Sequence, residues 1–374
     1  MKLGIPKETR DAELRVAGSA DTVKRYAGLG LEVLVEKGAG VAAGIADEAF
    51  QKAGAKLVDR AAAFDADILL KVQRPTDDEM GMLEKDQVLI GALDPYPNRD
   101  QVKAYAEKGV TAFSMELLPR TTRAQAMDVL SSQANLAGYK AVVDAMGAYN
   151  RVLSMMMTAA GTVTPAKIFI VGAGVAGLQA IATARRMGAV VTATDVRPAA
   201  REEIESLGAK FVGFIPEGGA TKGGYARALT EDEQKKQAEM VAEHIKSQDI
   251  VVTTAQIPGR KAPRIVTGAM VASMKRGSVV FDLAAETGGN VEGAEPGETV
   301  ETEGGVKILG ARNLPAKLAP ASSVLYARNL NNFVALLVTK GEGGPKLEID
   351  TKDELIAGAL LTRDGQIVHP NLKS

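Results

Sequence analysis

Residues 167–195, KIFIVGAGVAGLQAIATARRMGAVVTATD, constrain this chain more than any other stretch. A β-branched run, residues 167–171, leads into Gly172, Gly174 and Gly177, spaced G-x-G-x-x-G. A helical segment follows to about Met187 and stops at Gly188, and a second β-branched run ends on Asp195. Strand, glycine turn, helix, strand and acid stand in the order and at the lengths of a dinucleotide-binding unit. The first glycine permits the tight turn, the second lets backbone approach a pyrophosphate, and the third lets the helix pack close to the strand. The diphosphate then rests on unsatisfied N–H groups at the positive end of the helix. Asp195 accepts hydrogen bonds from the adenosine ribose hydroxyls and repels a 2′-phosphate, which selects NAD(H) over NADP(H). Arg197 argues for a phosphate, but the acid holds the deciding position. The glycine motif alone is weak, often no more than a turn; its company makes it a site.

At 374 residues the chain exceeds one ordinary domain and predicts two, each able to bury its own core. Its formal charge is −1, with 24% charged residues of both signs interspersed, which argues against a nucleic-acid surface or a polybasic membrane patch. The lack of cysteine excludes disulfides, thiolate nucleophiles and zinc–thiolate sites, and fits a reducing compartment. The opening MKLGIPKETR reads as a strand rather than a cleavable signal. No run of about 18 apolar residues occurs, so direct membrane insertion is not expected.

Up to about residue 118, short strands (2–6, 32–36, 56–58, 67–72, 87–93 and 111–117) alternate with amphipathic stretches at 21–29, 46–53 and 98–108. Gly30, Gly54 and Gly109 close these stretches as helix caps do. This rhythm predicts a second parallel sheet covered by helices, here without a fingerprint. The expected fold is α/β, with two doubly wound Rossmann-like domains joined by long helices and a cleft between them. Residues 1–122 and 335–374 are assigned to a discontinuous first domain, 123–148 to a linking helix, 149–320 to the NAD(H)-binding domain and 321–334 to a returning helix. The alanine-rich stretch 123–146 is read as one helix. Beyond Asp195 come a helix at 199–207, a strand at 210–214 and a polar insertion at 215–230 with Gly218, Gly219, Gly223 and Gly224. A charged helix at 231–246 follows, then strands at 249–255, 278–284 and 306–309 and a long apolar helix at 321–338. In the tail, residues 341–344 read as a flexible spacer, and Asp364-Gly365 as the turn of a hairpin.

Catalytic groups are scarce. Neither of the two histidines, His244 and His369, stands beside a predicted strand end, and both read as surface or structural. H-E-x-x-H, C-x-x-C and G-x-S-x-G are absent, which leaves metal sites and acyl transfer unsupported. Dehydrogenases of alcohols or amines need a group for the proton that accompanies the hydride. Transfer between two nicotinamide rings moves hydride alone and needs none.

Residues 119–142, PRTTRAQAMDVLSSQANLAGYKAV, together with IVGAGVAGLQAIATA, TKGGYA, VVTTAQIPGRKAP and VVFDLAAETGGN, resemble the NAD(H)-binding component of proton-translocating NAD(P) transhydrogenases, their alpha subunit. The resemblance covers essentially the whole chain. The first segment and the GGY loop are specific to that family, whereas the fingerprint is not. The wider superfamily includes alanine dehydrogenase and the lysine-forming saccharopine dehydrogenases.

The resemblance implies that NADH binds in the cleft between the domains and that hydride passes directly to NADP⁺ held on a partner component. A membrane-spanning component then couples the exchange to proton translocation. A homodimer is expected, cytoplasmic and peripheral to the membrane through its partners; the C-terminal hairpin offers strand exchange between protomers. Arg120, Gln125 and Asp128 match positions around the nicotinamide and its carboxamide, with Ser131 a turn further, and these four are the expected catalytic residues. Thr121, Thr122 and Arg123 are expected cofactor contacts beside Arg120. On one helix Gln125, Asp128 and Ser131 share roughly one face; by the residues alone they are equally a polar stripe with caps. Gly224 and Tyr225 match a loop that closes over nucleotide, although an incidental tyrosine in a disordered insertion reads the same. Val175, Val196 and Arg197 are expected to line the adenine and ribose pocket, and Ala255 to meet the nicotinamide ribose.

Alanine dehydrogenase handles its oxo-acid with residues matching Arg15 and Lys71, both present here. Its catalytic histidine falls at or near Asp94 and its catalytic aspartate at Glu286. Those two changes argue against amino-acid dehydrogenase activity and leave Lys71 and Arg15 as structural pairs or, for Lys71, an aid to binding. A stand-alone amino- or oxo-acid dehydrogenase is the first rival, and a nucleotide sensor without turnover the second.

Overall fold

Apolar strands that alternate with helices can bury both faces only within a parallel sheet, and two such sheets form. The computed structural model describes residues 1–214, 230–256 and 259–373. It divides into two units, Met1–Gln133 with Pro315–Ser374, and Ala134–Leu314.

In the first unit β1 (Lys2–Ile5), β2 (Glu32–Glu36), β3 (Lys56–Val58), β4 (Ile68–Gln73), β5 (Val88–Ala92) and β6 (Thr111–Ser114) run parallel in the order 3-2-1-4-5-6. Helices α1 (Ala20–Gly28), α2 (Asp47–Lys52), α3 (Arg60–Phe64), α4 (Asp77–Met82) and α5 (Arg99–Glu107) connect them. Along β4, Ile68, Leu70 and Val72 enter one core cluster and Leu69 the other, as the two-residue period of a strand requires. The stretch 111–117 ends as strand at Ser114 and closes in a 3-10 turn, Met115–Leu117. α3 and α4 are too short to show periodicity. Their signals are caps: Asp59 accepts the Ala62 N–H, and Thr76 forms a reciprocal box with Glu79.

Residues 123–146 do not form one helix. A 3-10 segment, Thr122–Met127, comes first, and α6 (Val129–Ala148) starts only after Asp128, whose φ of −73° and ψ of 92° are not helical. The Asp128 carboxylate accepts the Ser131 N–H at 2.9 Å, the bond of an N-cap. Aspartate competes with the helix ladder for backbone donors, a local effect hidden beneath the alanine-rich composition.

The second unit opens with an unforeseen hairpin, β7 (Met156–Thr158) and β8 (Gly161–Val163), exposed at every position. Its sheet comprises β9 (Lys167–Val171), β10 (Val190–Thr194), β11 (Lys210–Phe211), β12 (Ile250–Thr253), β13 (Val279–Asp282), β14 (Thr299–Glu301) and β15 (Lys307–Gly310). The order is 11-10-9-12-13-15-14, parallel except for β14. Its helices are α7 (Val175–Arg186), α8 (Pro198–Ser206), α9 (Glu231–Ile245) and α10 (Gly268–Ala272). Apart from Thr230, which caps α9, the polar insertion with Gly218, Gly219, Gly223, Gly224 and Tyr225 lies outside the described residues.

The chain re-enters the first unit through α11 (Ala319–Leu337). Where a flexible spacer was expected, β16 (Val338–Gly341) and β17 (Gly344–Leu347) pair antiparallel, the glycines serving as the hairpin turn. After α12 (Glu354–Ala359), β18 (Leu360–Arg363) and β19 (Gln366–Ile367) flank Asp364 and Gly365, at φ 50° and 76°. Positive φ at both central residues is the I′ geometry that Asp-Gly favours. β18 pairs antiparallel with β6 of the same chain. No described helix is long and apolar enough to cross a membrane.

Candidate functional site

In open α/β sheets, ligands bind beyond the carboxyl ends of the strands where strand order reverses. In the second unit that point lies between β9 and β12. Gly172 turns the chain out of β9 at φ 98°, and a Cβ there would sit 2.7 Å from Thr254 Oγ1. A Cβ on Gly177 would lie 1.9 Å from the Gly172 carbonyl oxygen, so no larger residue fits. Gly174 differs: among the described residues a Cβ there meets nothing within 4 Å. It opens α7, whose N-terminus no side chain of the described residues caps, so the first N–H groups keep the character of orphan donors. With exposed Val175 beside them, these residues fit the diphosphate of NAD(H).

Asp195 ends the next strand over. Its Oδ2 accepts the Ala173 N–H at 2.7 Å, and its Oδ1 accepts the Arg197 N–H at 2.8 Å and Arg197 Nε at 3.1 Å. Val196 lies half-buried between them. Across the switch point the Thr254 hydroxyl donates to the Gly172 carbonyl at 3.1 Å. Ala255 is held from both sides by fully buried Asn290. The Asn290 Oδ1 accepts the Ala255 N–H at 3.0 Å, and its Nδ2 donates to Ala255 O at 2.9 Å and Pro263 O at 2.8 Å. Asp282, at the end of β13, accepts the Val291 and Ala284 N–H groups at 2.9 Å and the Thr253 hydroxyl at 3.1 Å. Burial nonetheless lifts its carboxyl above the ordinary aspartate range. Asn290 and Asp282 were missed in the sequence. The available signal was the pair Gly288-Gly289, which turns left-handed (φ 103° and 76°) and swings Asn290 back toward β12.

The second group of candidates belongs to the first unit. Arg120, Thr122 and Gln125 are exposed, whereas the Thr121 hydroxyl is buried without a hydrogen-bond partner among the described residues. Arg123 forms an ion pair with Asp353, the N-cap of α12, with Nη1 donating at 3.1 Å. The expected shared helical face of Gln125, Asp128 and Ser131 does not exist. Gln125 sits in the 3-10 segment and Asp128 at the cap, and only Ser131 is in α6. Asp128 and Ser131 do meet, the serine hydroxyl donating to the carboxylate at 2.5 Å. Gly224 and Tyr225 lie outside the described residues.

The residues matching the oxo-acid groups are occupied elsewhere. Lys71 is fully buried, with its ammonium 3.1 Å from Glu8 and 3.0 Å from Glu79. Burial works against the Glu79 carboxylate, yet Lys71 and the Thr76 N–H hold it below the usual range; burial lifts Glu8 above it. Arg15 pairs with Glu13 at 2.6 Å and donates to Gln133 at 2.9 Å. Glu286 accepts the Asn313 N–H at 2.8 Å. Asp94 takes a left-handed φ of 46°, and its backbone N–H donates to Glu116. His244 contacts the Thr192 hydroxyl at 2.8 Å and packs edge-on to Phe169.

Two doubly wound sheets, one of them bearing a dinucleotide fingerprint, define the class, and family models match along the chain. The N-terminal domain of the alanine dehydrogenase/PNT family matches residues 4–137 and its C-terminal domain residues 141–370, so the chain belongs to that family. Within it, the chain is 49% identical over 382 residues to an NAD(P) transhydrogenase subunit alpha chain of Rhodospirillum rubrum, covering 100% of this chain and 99% of that one. It is also similar to the transhydrogenase structure from Sinorhizobium meliloti, with a TM-score of 0.89 and 52% identity over 98% of this chain and 100% of that one. An L-alanine dehydrogenase structure shares the fold at a TM-score of 0.82 and 26% identity, covering 100% of this chain and 98% of that one.

Proposed function

We propose that this chain is the NAD(H)-binding subunit of a proton-translocating transhydrogenase, exchanging hydride with NADP(H) on a partner component while a membrane-spanning component moves protons. One observation carries the reading. Among the described residues nothing lies within 4 Å of a Gly174 Cβ and no side chain caps α7, with Asp195 at the next strand end, in a chain that aligns along its full length with a transhydrogenase alpha subunit.

When bound, NADH supplies hydride from its dihydronicotinamide ring, and no proton need accompany it. The protein's task is therefore position: the donor carbon must come within about 3–3.5 Å of its acceptor. α7 and Gly174 hold the diphosphate, Asp195 with Val196 holds the adenosine ribose, and Ala255, pinned by Asn290, supports the nicotinamide ribose. Arg120, Gln125 and the Asp128–Ser131 pair orient the nicotinamide and its carboxamide. The Thr121 hydroxyl, without a partner among the described residues, is a further ligand-facing donor. Arg123, bound to Asp353, braces this segment and is a weaker candidate for direct contact. Gly224 and Tyr225 remain proposed nucleotide contacts on the strength of the family motif.

The subunit is peripheral to the cytoplasmic face of the membrane through its partners, and a homodimer. β18 already pairs with β6, whereas the β7–β8 hairpin leaves Met155, Met156, Met157 and Val163 exposed and supports self-association better. Light scattering at micromolar concentration reading a monomer removes the dimer.

The decisive assay adds the NADP(H)-binding component to the purified chain with NADH and NADP⁺, and NADPH is expected to form. Oxidation of NADH by this chain alone with pyruvate and ammonia overturns the reading in favour of an alanine dehydrogenase.

A further inference from the structure

An arginine two residues after the acid of a dinucleotide fold ordinarily invites a 2′-phosphate. Here the guanidinium is already engaged. Arg197 Nη2 donates to the Ala173 carbonyl at 2.8 Å, while Nε donates to Asp195 Oδ1 at 3.1 Å. Ala173 is the fully buried residue between Gly172 and Gly174, and its N–H donates to Asp195 Oδ2 at 2.7 Å. Both sides of the turn's central residue are thus gripped by the pair at the exit of β10, and the pair grips itself. The loop that receives a diphosphate and the acid that reads a ribose are fastened into one closed ring of hydrogen bonds.

Charge acts in the same direction. Glu203 on α8 lies 3.5 Å from Arg197 Nη2, so two carboxylates face one guanidinium and the edge is net negative. A phosphate dianion placed there meets repulsion from both acids, and the arginine cannot turn to it without releasing the Ala173 carbonyl. That carbonyl, once buried without a donor, is unfavourable.

We propose that Arg197 is a positioning and specificity-determining residue that fastens Asp195 to the glycine turn, and that this engagement withholds it from a 2′-phosphate. The inference rests on the reading of the second unit as the NAD(H) site. Arg197 therefore favours NADH indirectly, and the usual consequence of an arginine in this place is inverted. Asp195 does two jobs, accepting from the ribose and detaining the arginine.

Direct titration of NADH and NADPH onto the full chain tests this, with Arg197→Met, Asp195→Asn and the double variant. Arg197→Met is expected to weaken NADH binding by about tenfold, through a loosened turn and a misdirected acid, without improving NADPH. Asp195→Asn is expected to strengthen NADPH binding by about tenfold or more, because the released arginine reaches the phosphate, and the double variant loses that gain. Arg197→Lys keeps the charge but cannot bridge two acceptors with a planar fork, and is expected to follow Arg197→Met toward NADH. It also serves should the methionine variant fail to fold. The proposal is overturned if removing Arg197 weakens NADPH while leaving NADH unchanged, or if the gain in NADPH persists in the double variant. Failure of the unmodified chain to bind either nucleotide instead removes the underlying site assignment, a distinguishable result.

Discussion

The two units share the order of their first five strands, 3-2-1-4-5, and use its reversal in opposite ways. In the second unit the crevice between β9 and β12 is lined by Gly172, Thr254 and Ala255, and none of the described residues comes within 4 Å of a Gly174 Cβ. In the first unit the equivalent place, between β1 and β4, is filled. Glu8 accepts the Val72 N–H at 2.6 Å and pairs with Lys71, which also pairs with Glu79, and Arg60 binds Glu79 and Glu36 behind it. Tyr326 seals the neighbouring strands, its hydroxyl accepting the Ala92 N–H at 2.9 Å and reaching the Lys71 and Val72 carbonyls at 3.0 Å. An architecture offers a crevice; side chains decide whether it binds or closes. Small residues with uncommitted N–H groups keep one open, and compensated charges build the other into the core.

The contrast breaks most readily at Lys71. Lys71→Met leaves Glu8 and Glu79 buried without their ammonium and is expected to destabilise the chain by about 3–5 kcal/mol in urea titration. NADH affinity measured below the transition should be unchanged; lost affinity at full stability would make Lys71 a binding group. Next in size is Asn290→Asp, which turns an oxygen toward the Ala255 and Pro263 carbonyls. It should lower stability by about 2–4 kcal/mol and weaken NADH binding together, and calorimetry with titration reads both. Gly174→Val sharpens the comparison from the other side. Its Cβ meets no atom of the described residues, but Gly174 is the N-cap of α7, where glycine is preferred to valine, so stability should fall by about 1 kcal/mol. NADH affinity should fall about tenfold or more, and a variant with intact affinity would show that the diphosphate lies elsewhere.

The smallest expected effect is a dependence on pH. Burial, with help from Lys210 and Lys167, lowers the His244 pKa below 6.5. Between that lowered value and 6.5 the unfolded chain binds more protons, so this contribution to stability is complete above pH 6.5 and is lost as pH falls through the window. The urea midpoint should drop less steeply between pH 7.5 and 5.5 in His244→Gln than in the unmodified chain.

The second unit was the more legible in sequence because its function is written in backbone. Gly172, Gly174, Gly177 and Asp195 follow at fixed intervals along one βαβ unit, and a single strand–helix–strand reading places them all. Asn290 acts on Ala255 from 35 residues away, and a contact of that kind leaves no periodic trace. The break at Asp128 was overlooked because helix composition on both sides outweighed one capping residue. β7–β8 and β16–β17 are hairpins of three or four residues per strand, too short for alternation to register. The strand order was not fixed by pattern either, since pairing partners depend on which faces the helices cover.

β18 completes the first sheet by lying against β6, with the Thr362 hydroxyl donating to Val110 O at 2.7 Å and accepting the Ala112 N–H at 3.2 Å, some 250 residues upstream. During synthesis at about 5–20 residues per second, the later-made unit therefore emerges whole while the earlier one still waits for its last strands. Through those seconds the flank of β6 is a bare ladder of donors and acceptors that any nascent neighbour can occupy. Of the two units, the one begun first is the last to be finished, and a truncation that removes residues 360–374 would injure the unit that holds residues 1–133 rather than the one that precedes the cut.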